Sequence, residues 1–143
     1  MSGLIIRSAR ENDVVDVVAL WERASLTRPW NDPSADCRLA LATRTSTVLV
    51  GHDGDALIAA VMAGFDGHRG WVYYLGVEPS RQSEGHGQAM MDAAEAWLKA
   101  CGAPKMQLLV RSDNDAALGF YARLGFKKQG VVTLGKRLDG KST

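Results

Sequence analysis

The sequence predicts one mixed α/β domain spanning residues 1–143, with a mostly antiparallel sheet of six to seven strands and about four helices. Three observations carry this expectation. A length of 143 residues is that of one ordinary domain. Apolar periodicity switches repeatedly between the strand and helix patterns. Mid-chain strand-like runs are joined by tight Asp-Gly turns, which favours antiparallel pairing, whereas the strand–helix–strand run over residues 77–110 favours a parallel pair.

The elements follow in order. Residues 4–7 (LIIR) read as a short apolar strand. Val14, Val17, Val18 and Trp21 share one helical face, and Glu11 and Asp13 suit the start of that helix, where exposed N–H groups favour negative charge. Residues 25–33 (SLTRPWNDP) form a loop punctuated by two prolines. A second helix is expected over residues 35–44, with Leu39 inward. Residues 47–51 and 56–65 are strands joined by the HDGD turn, and DGHRG (66–70) is the next turn. WVYYLGV (71–77) is apolar enough to be a central strand, and Pro79 ends it because proline cannot donate to a ladder. A helix then places Met90, Ala93, Ala94, Trp97 and Cys101 on one face and stops at Gly102 and Pro104. Residues 106–111 give a further strand. Ser112 or Asp113 caps a helix that runs to Leu124 and ends at Gly125, and residues 126–138 supply the last one or two strands. The order is β-α-α-β-β-β-α-β-α-β.

Composition excludes several classes. The chain is 46% hydrophobic and 23% charged with a formal charge of +1, so it reads as globular and offers no basic stripe for nucleic acid. No apolar run reaches the ~18 residues of a membrane span, so no membrane partner is expected. The N-terminus lacks the pattern of a secretory signal. Cys37 and Cys101 read as free thiols in a reducing cytoplasm, and His52, His68 and His86 have no metal-ligand spacing, so no metal is expected.

VEPSRQSEGHGQAM (77–90) stands at the seam between the central strand and a helix. The first turn of a helix presents unpaired N–H groups and partial positive charge, and glycines at 85 and 87 let a phosphate approach the backbone. The bland alternative is a strand-to-helix turn that merely needs glycine. The stretch is not a P-loop, lacking Gly-Lys-Ser/Thr, nor a dinucleotide fingerprint, since Met90 stands where the third glycine belongs. NDAALGFYARLGF (114–126) sets Asn114, Ala117 and Tyr121 on one helical stripe. These residues either line a groove, or Tyr121 is a core residue and Asn114 a capping one.

Together these motifs resemble the GNAT superfamily of acyl-CoA N-acyltransferases. Gln82, Gly85 and Gly87 match its Gln/Arg-x-x-Gly-x-Gly/Ala motif, after a strand ending Val77-x-Pro79. Asn114, Ala117, Tyr121, Gly125 and Phe126 match its later helix. RPWNDP, DGHRG, YYLGV and LGKRL look like a small bacterial YpeA-like subgroup. The resemblance covers nearly the whole chain. It implies acetyl-CoA as co-substrate, seated by Leu75, Gly76 and Val77 on the strand. Gln82, Ser83, Glu84, Gly85, His86, Gly87 and Gln88 would hold it at the turn, and Asn114, Ala117 and Tyr121 on the later helix. Ser83 and Glu84 depart from the family's glycine and basic residue, and Glu84 is expected to face outward, away from the pyrophosphate.

The resemblance implies direct acetyl transfer to the primary amine of a small molecule, amino acid or peptide. It makes Tyr121 the acid that protonates the leaving thiolate, and Gly76 the mark of a bulge that re-aims an amide towards the oxyanion. Arg28, Trp30, Asn31 and Asp32 would wall the acceptor site, with Asp66, His68 and Tyr73 from the turn and strand beside it. Trp30 equally suits a core plug and His68 a solvated loop. Tyr73 and Tyr74 are expected on opposite faces of their strand, and a water chain could serve as base. The competing readings are a non-catalytic acyl-CoA sensor, a protein N-terminal or lysine acetyltransferase, and a partner-binding protein whose glycine turn is only structural. C-terminal edge strands would suit a homodimer.

Overall fold

Five strands form one sheet in chain order: β1 (Leu4–Ser8), β2 (Ser46–Asp53), β3 (Ala56–Phe65), β4 (Gly70–Val77) and β5 (Met106–Leu108). The structure is a computed structural model that describes residues 3–141, and these fall into two compact units divided after Leu108. β1 to β4 are joined antiparallel, and β5 runs parallel to β4. The β2–β3 hairpin turns through Gly54 at φ +60°, a conformation that glycine adopts without steric cost.

In the first unit, α1 (Val14–Arg23) and α2 (Pro33–Ala42) cover one face of the sheet. Val17, Leu20 and Trp21 of α1 and Cys37 and Ala40 of α2 pack with Val48 and Val50. Asp32 caps α2 by accepting from the Ala35 N–H at 3.1 Å, and Pro33 fits the first turn because its missing N–H would have no helical partner. The helix therefore runs two residues ahead of the expected register. Cys37 and Ala40 face inward and Leu39 stands 69% exposed.

α3 (His86–Cys101) packs on the other face, since side chains alternate along a strand and a Cβ at Gly51 or Gly70 would meet Met90 or Leu98. Its buried stripe is Met90, Met91, Ala94 and Leu98, with Cys101 exposed rather than inward. Gly102, at φ +92°, closes it by donating to the Leu98 carbonyl.

β4 carries a bulge. Met62 pairs with Tyr73 and Ala60 with Gly76, so Tyr74 and Leu75 oppose Val61 alone, and Tyr74 takes φ +55°. The extra residue breaks the two-residue alternation. Tyr73, paired with Met62, and Tyr74, stacked on Trp21 at 4.2 Å, both face α1 and α2, contrary to the expectation of opposite faces. The bulge thus falls at Tyr74–Leu75 and not at Gly76. Gly76 is needed for close approach, because a Cβ there would lie 3.0 Å from Leu26 and 3.3 Å from Trp21.

In the second unit, α4 (Asp115–Arg123) starts at Asn114, whose side chain accepts from the Ala117 N–H at 3.0 Å. This capping role falls to Asn114 and not to Ser112 or Asp113. Gly125, at φ +94°, ends the helix, and the Phe126 N–H returns to the Tyr121 carbonyl. Residues 126–138 form no strand, so among the described residues the sheet has five strands and not six or seven. The physical reason is that strand propensity needs a ladder partner. Residues 126–138 are interrupted by Gly130 and Gly135, and Val131, Val132 and Leu134 stand 74 to 90% exposed. β5 likewise stops at Leu108, short of the expected Arg111.

Candidate functional site

The seam between β4 and α3 is built from backbone. The β4–β5 ladder ends at the Val72–Leu108 pair, while β4 itself continues through Tyr73 to Val77. Its Tyr73–Val77 stretch therefore has no β5 partner, and Leu75, Gly76 and Val77 lie on it. After Val77 the chain makes a short 3₁₀ turn (Pro79–Arg81). Ser83 at φ +65° and Gly85 at φ +86° then swing the backbone into α3. The N–H groups of His86, Gly87 and Gln88 open that 16-residue helix, where no preceding carbonyl is available to them within the helix. A left-handed residue next to a helix start makes a concave set of N–H donors of the kind that binds anions.

Side chains hold this loop. The Gln82 amide donates to the Val77 carbonyl at 3.3 Å. Arg81 donates to Glu84 at 3.0 Å and to Asp53, on the β2–β3 hairpin, at 2.7 Å. His86 is buried, with Nε2 3.0 Å from Glu84 and a buried Nδ1 that has no hydrogen-bond partner. Hydrogen bonds from Arg81 first and His86 second hold the Glu84 carboxyl below its ordinary range. Glu84 is exposed, its side chain 45% accessible, and its charge is also offset within the loop.

On the α1/α2 face lies a cavity of about 440 Å³. Leu39, Ala40, Met62 and Ala63 give its apolar walls, and Tyr73 and Tyr74 contribute from the bulge. Asn31, Asp36, Thr43 and Ser46 supply polar atoms. The Tyr74 hydroxyl donates to Asp36 at 2.7 Å. Burial first, and that hydrogen bond second, push the Tyr74 phenol well up, so it stays neutral and donating. A smaller cavity of about 260 Å³ adjoins it, sharing Ser46, Gly64 and Tyr73 and adding Asp66 and Trp71.

The other residues singled out in the sequence have local partners. Arg28 donates to the Ser25 and Thr27 carbonyls, and Asp32 caps α2. Trp30 is 38% exposed. Asp66 accepts from the Arg69 and His68 N–H groups, which foremost lower its carboxyl, and from the Trp71 indole, and His68 stays in that exposed turn. In the second unit Tyr121 packs edge-on against Phe120 and Phe126, and burial pushes its phenol up. Asn114 and Ala117 share the capping hydrogen bond. Sequence reasoning missed Asp36, Arg81 and Asp53. Asp36 had a signal in its position four residues after Asp32, one helical turn further along α2.

The family model "Acetyltransferase (GNAT) family" matches residues 15–126. The chain belongs to the GNAT acetyltransferase family. As a GNAT protein it is an acyl-CoA-dependent N-acetyltransferase. It is 42% identical over 133 residues to Acetyltransferase YE1169 of Yersinia enterocolitica, covering 93% of this chain and 94% of that one. Among solved structures it resembles AAC(6')-Iy in complex with the bisubstrate analogue CoA-S-monomethyl-acetylneamine, at TM-score 0.80 and 18% identity over 94% of this chain and 98% of that one. It also resembles an acetyltransferase of Clostridium acetobutylicum with acetyl-CoA, at TM-score 0.78 and 16% identity over 97% and 99%. These two likenesses establish the GNAT fold. No helix among the described residues is long and apolar enough to cross a membrane, and no group of His, Cys, Asp and Glu among them is arranged to hold a metal ion.

Proposed function

We propose that this GNAT protein moves an acetyl group from acetyl-CoA to a primary amine by direct transfer. The observation that carries the reading is the start of α3, where Ser83 and Gly85 are both left-handed and turn the opening N–H groups into an anion seat. In this reading the pyrophosphate sits at residues 82–88: Gln82, Ser83, Glu84, Gly85, His86, Gly87 and Gln88. The pantetheine arm pairs with the β4 backbone at Leu75, Gly76 and Val77, which lie beyond the last β4–β5 pair at Val72–Leu108. The motif resemblance, and not the geometry, assigns Asn114 and Ala117 to the cofactor set. Two solved structures of the same fold, one with acetyl-CoA and one with a CoA-containing bisubstrate analogue, support acetyl-CoA as the co-substrate.

The chemistry needs three things. The acceptor ammonium gives a proton to water, because only the neutral amine has a lone pair. Its nitrogen attacks the thioester carbonyl, and the oxyanion meets an N–H that the β4 bulge turns out of the ladder. The C–S bond then breaks, the thiolate takes the Tyr121 phenol proton, and the second proton that the nitrogen sheds on becoming an amide passes through water and returns the phenolate to phenol. Burial keeps that phenol protonated at neutral pH. The acceptor is a small molecule or peptide amine. Two aminoglycoside-related relatives, AAC(6')-Iy and the sisomicin complex of meta-AAC0020, support a small-molecule amine.

A thermal shift with CoA and acetyl-CoA tests the cofactor half. At about 100 times Kd, linkage gives ~2.7 kcal/mol of stabilisation. No shift at millimolar ligand would sink the reading. Thiol release with an amine panel tests turnover, and Tyr121→Phe should keep the CoA shift while slowing turnover by roughly 10- to 1000-fold. A shift without thiol release from any amine would favour the sensor.

A further inference from the structure

We propose that the cavity between α2 and the Tyr73–Tyr74 bulge is the acceptor pocket, and that it selects a primary amine on an apolar body without a carboxylate, such as an arylalkylamine or a branched alkylamine. The inference rests on the acetyl-transfer reading above and adds the chemical class of the acceptor.

Charge decides first. Asp36 is the one charged side chain among the residues lining the 440 Å³ cavity, and none of them is Lys, Arg or His. A zwitterionic amino acid would bring a carboxylate there with no cation to meet it. Arg28, the cation that the sequence offers nearby, has its guanidinium turned onto the carbonyls of Ser25 and Thr27. A polyamine or aminoglycoside would bring further ammonium groups with no second carboxylate in the lining to meet them: Leu39, Ala40, Met62 and Ala63 offer no acceptor side chain, and Asn31, Thr43 and Ser46 offer only neutral ones. The adjoining smaller cavity adds Asp66, but both its oxygens already receive N–H groups from its own turn and from Trp71.

Geometry decides next. Tyr74 fixes one Asp36 oxygen at 2.7 Å, and Tyr74 is itself held by its stack on the fully buried Trp21. The Tyr74 hydroxyl donates to Asp36 Oδ2, and a carboxylate keeps further lone pairs on both oxygens that can accept an ammonium N–H. The apolar walls and the two tyrosine rings take the organic body, and the volume lies within the ~300–1,000 Å³ of small-molecule pockets.

The test compares phenethylamine with phenylalanine, which differs by one carboxylate, and with spermidine, following thiol release with acetyl-CoA. The expected result is a kcat/KM for phenethylamine about 100-fold above either competitor. Asp36→Asn should raise the phenethylamine KM roughly 10- to 100-fold with the acetyl-CoA KM unchanged, and Asp36→Glu should recover part of the loss. Calorimetric titration of the wild-type protein with phenethylamine and phenylalanine needs no variant and should show binding of the first alone. Equal use of phenylalanine or spermidine, or an unchanged phenethylamine KM in Asp36→Asn, overturns the inference while a CoA thermal shift leaves the acetyl-transfer reading standing. Absence of that shift overturns the acetyl-transfer reading, and this inference with it.

Discussion

Ser83 and Gly85 sit two residues apart, both at positive φ, and only one of them is glycine. A side chain in the left-handed region costs roughly 1–2 kcal/mol. Ser83→Gly removes that strain and adds back ~0.5–1 kcal/mol of unfolded-chain freedom, so a net gain of about 0.5 kcal/mol is expected in urea unfolding. Gly85→Ala has open space for its Cβ but no relief of φ +86°, so it should lose about 1 kcal/mol and weaken CoA binding. Opposite signs at neighbouring positions would show that backbone conformation governs this turn; equal signs would refute it. Asp13 makes a different kind of residue-scale prediction. It is buried, paired to both Arg7 amino groups at 2.8 and 2.9 Å, and accepts the Arg10 N–H at 2.8 Å. The Arg7 hydrogen bond, foremost, lowers its carboxyl to about 2. A depressed acid stabilises the fold above its unfolded value and loses that contribution as pH falls through the folded one. With Arg7 partly exposed, the contribution is about 1–2 kcal/mol, complete above roughly pH 4 and gone below about pH 2. Asp13→Asn should therefore cost that much at pH 7 and little at pH 2. A pH-independent cost would point to packing instead.

The loop from β4 to α3 acts as an element because Arg81 ties it to another one. Its partner Asp53 lies 28 residues earlier, at the end of β2, and its other partner Glu84 lies in the loop itself. Without Arg81, an unbalanced Glu84 carboxylate would stand where a pyrophosphate is proposed. Arg81→Ala should raise the acetyl-CoA KM by ~10-fold, and the Arg81→Ala/Glu84→Ala pair should recover most of it. Additive losses in the double variant would mean that Arg81 acts on the phosphates directly. The glycine motif was legible in the sequence because it is contiguous. The balance of Glu84 was not, since nothing local announces a partner on a distant hairpin. The bulge is a parallel case. WVYYLGV reads as a regular strand, and only its pairing with β3 reveals that Tyr74 is extra, that both tyrosines face one side, and that Tyr74 reaches Asp36, 38 residues away.

At the scale of the whole molecule, the sequence made β1 to β4 and all four helices legible, because each carries its own period, cap or turn residue. Boundaries moved where capping decided them, as Asp32 and Pro33 did for α2. What misled was the C-terminal run, where KKQGVVTLGKRL has β-branched residues at strand spacing but takes no ladder in the structure. Hydrogen exchange separates these two readings. Amides of β2 and β3, central in the sheet and bonded on both sides, should exchange slowest, near the global unfolding limit. Amides at 131–134, outside any strand and with Val132 84% exposed, should exchange orders of magnitude faster. Protection at 131–134 comparable to β2 would mean that this run does sit in a ladder in solution, and that the expected sixth strand forms after all.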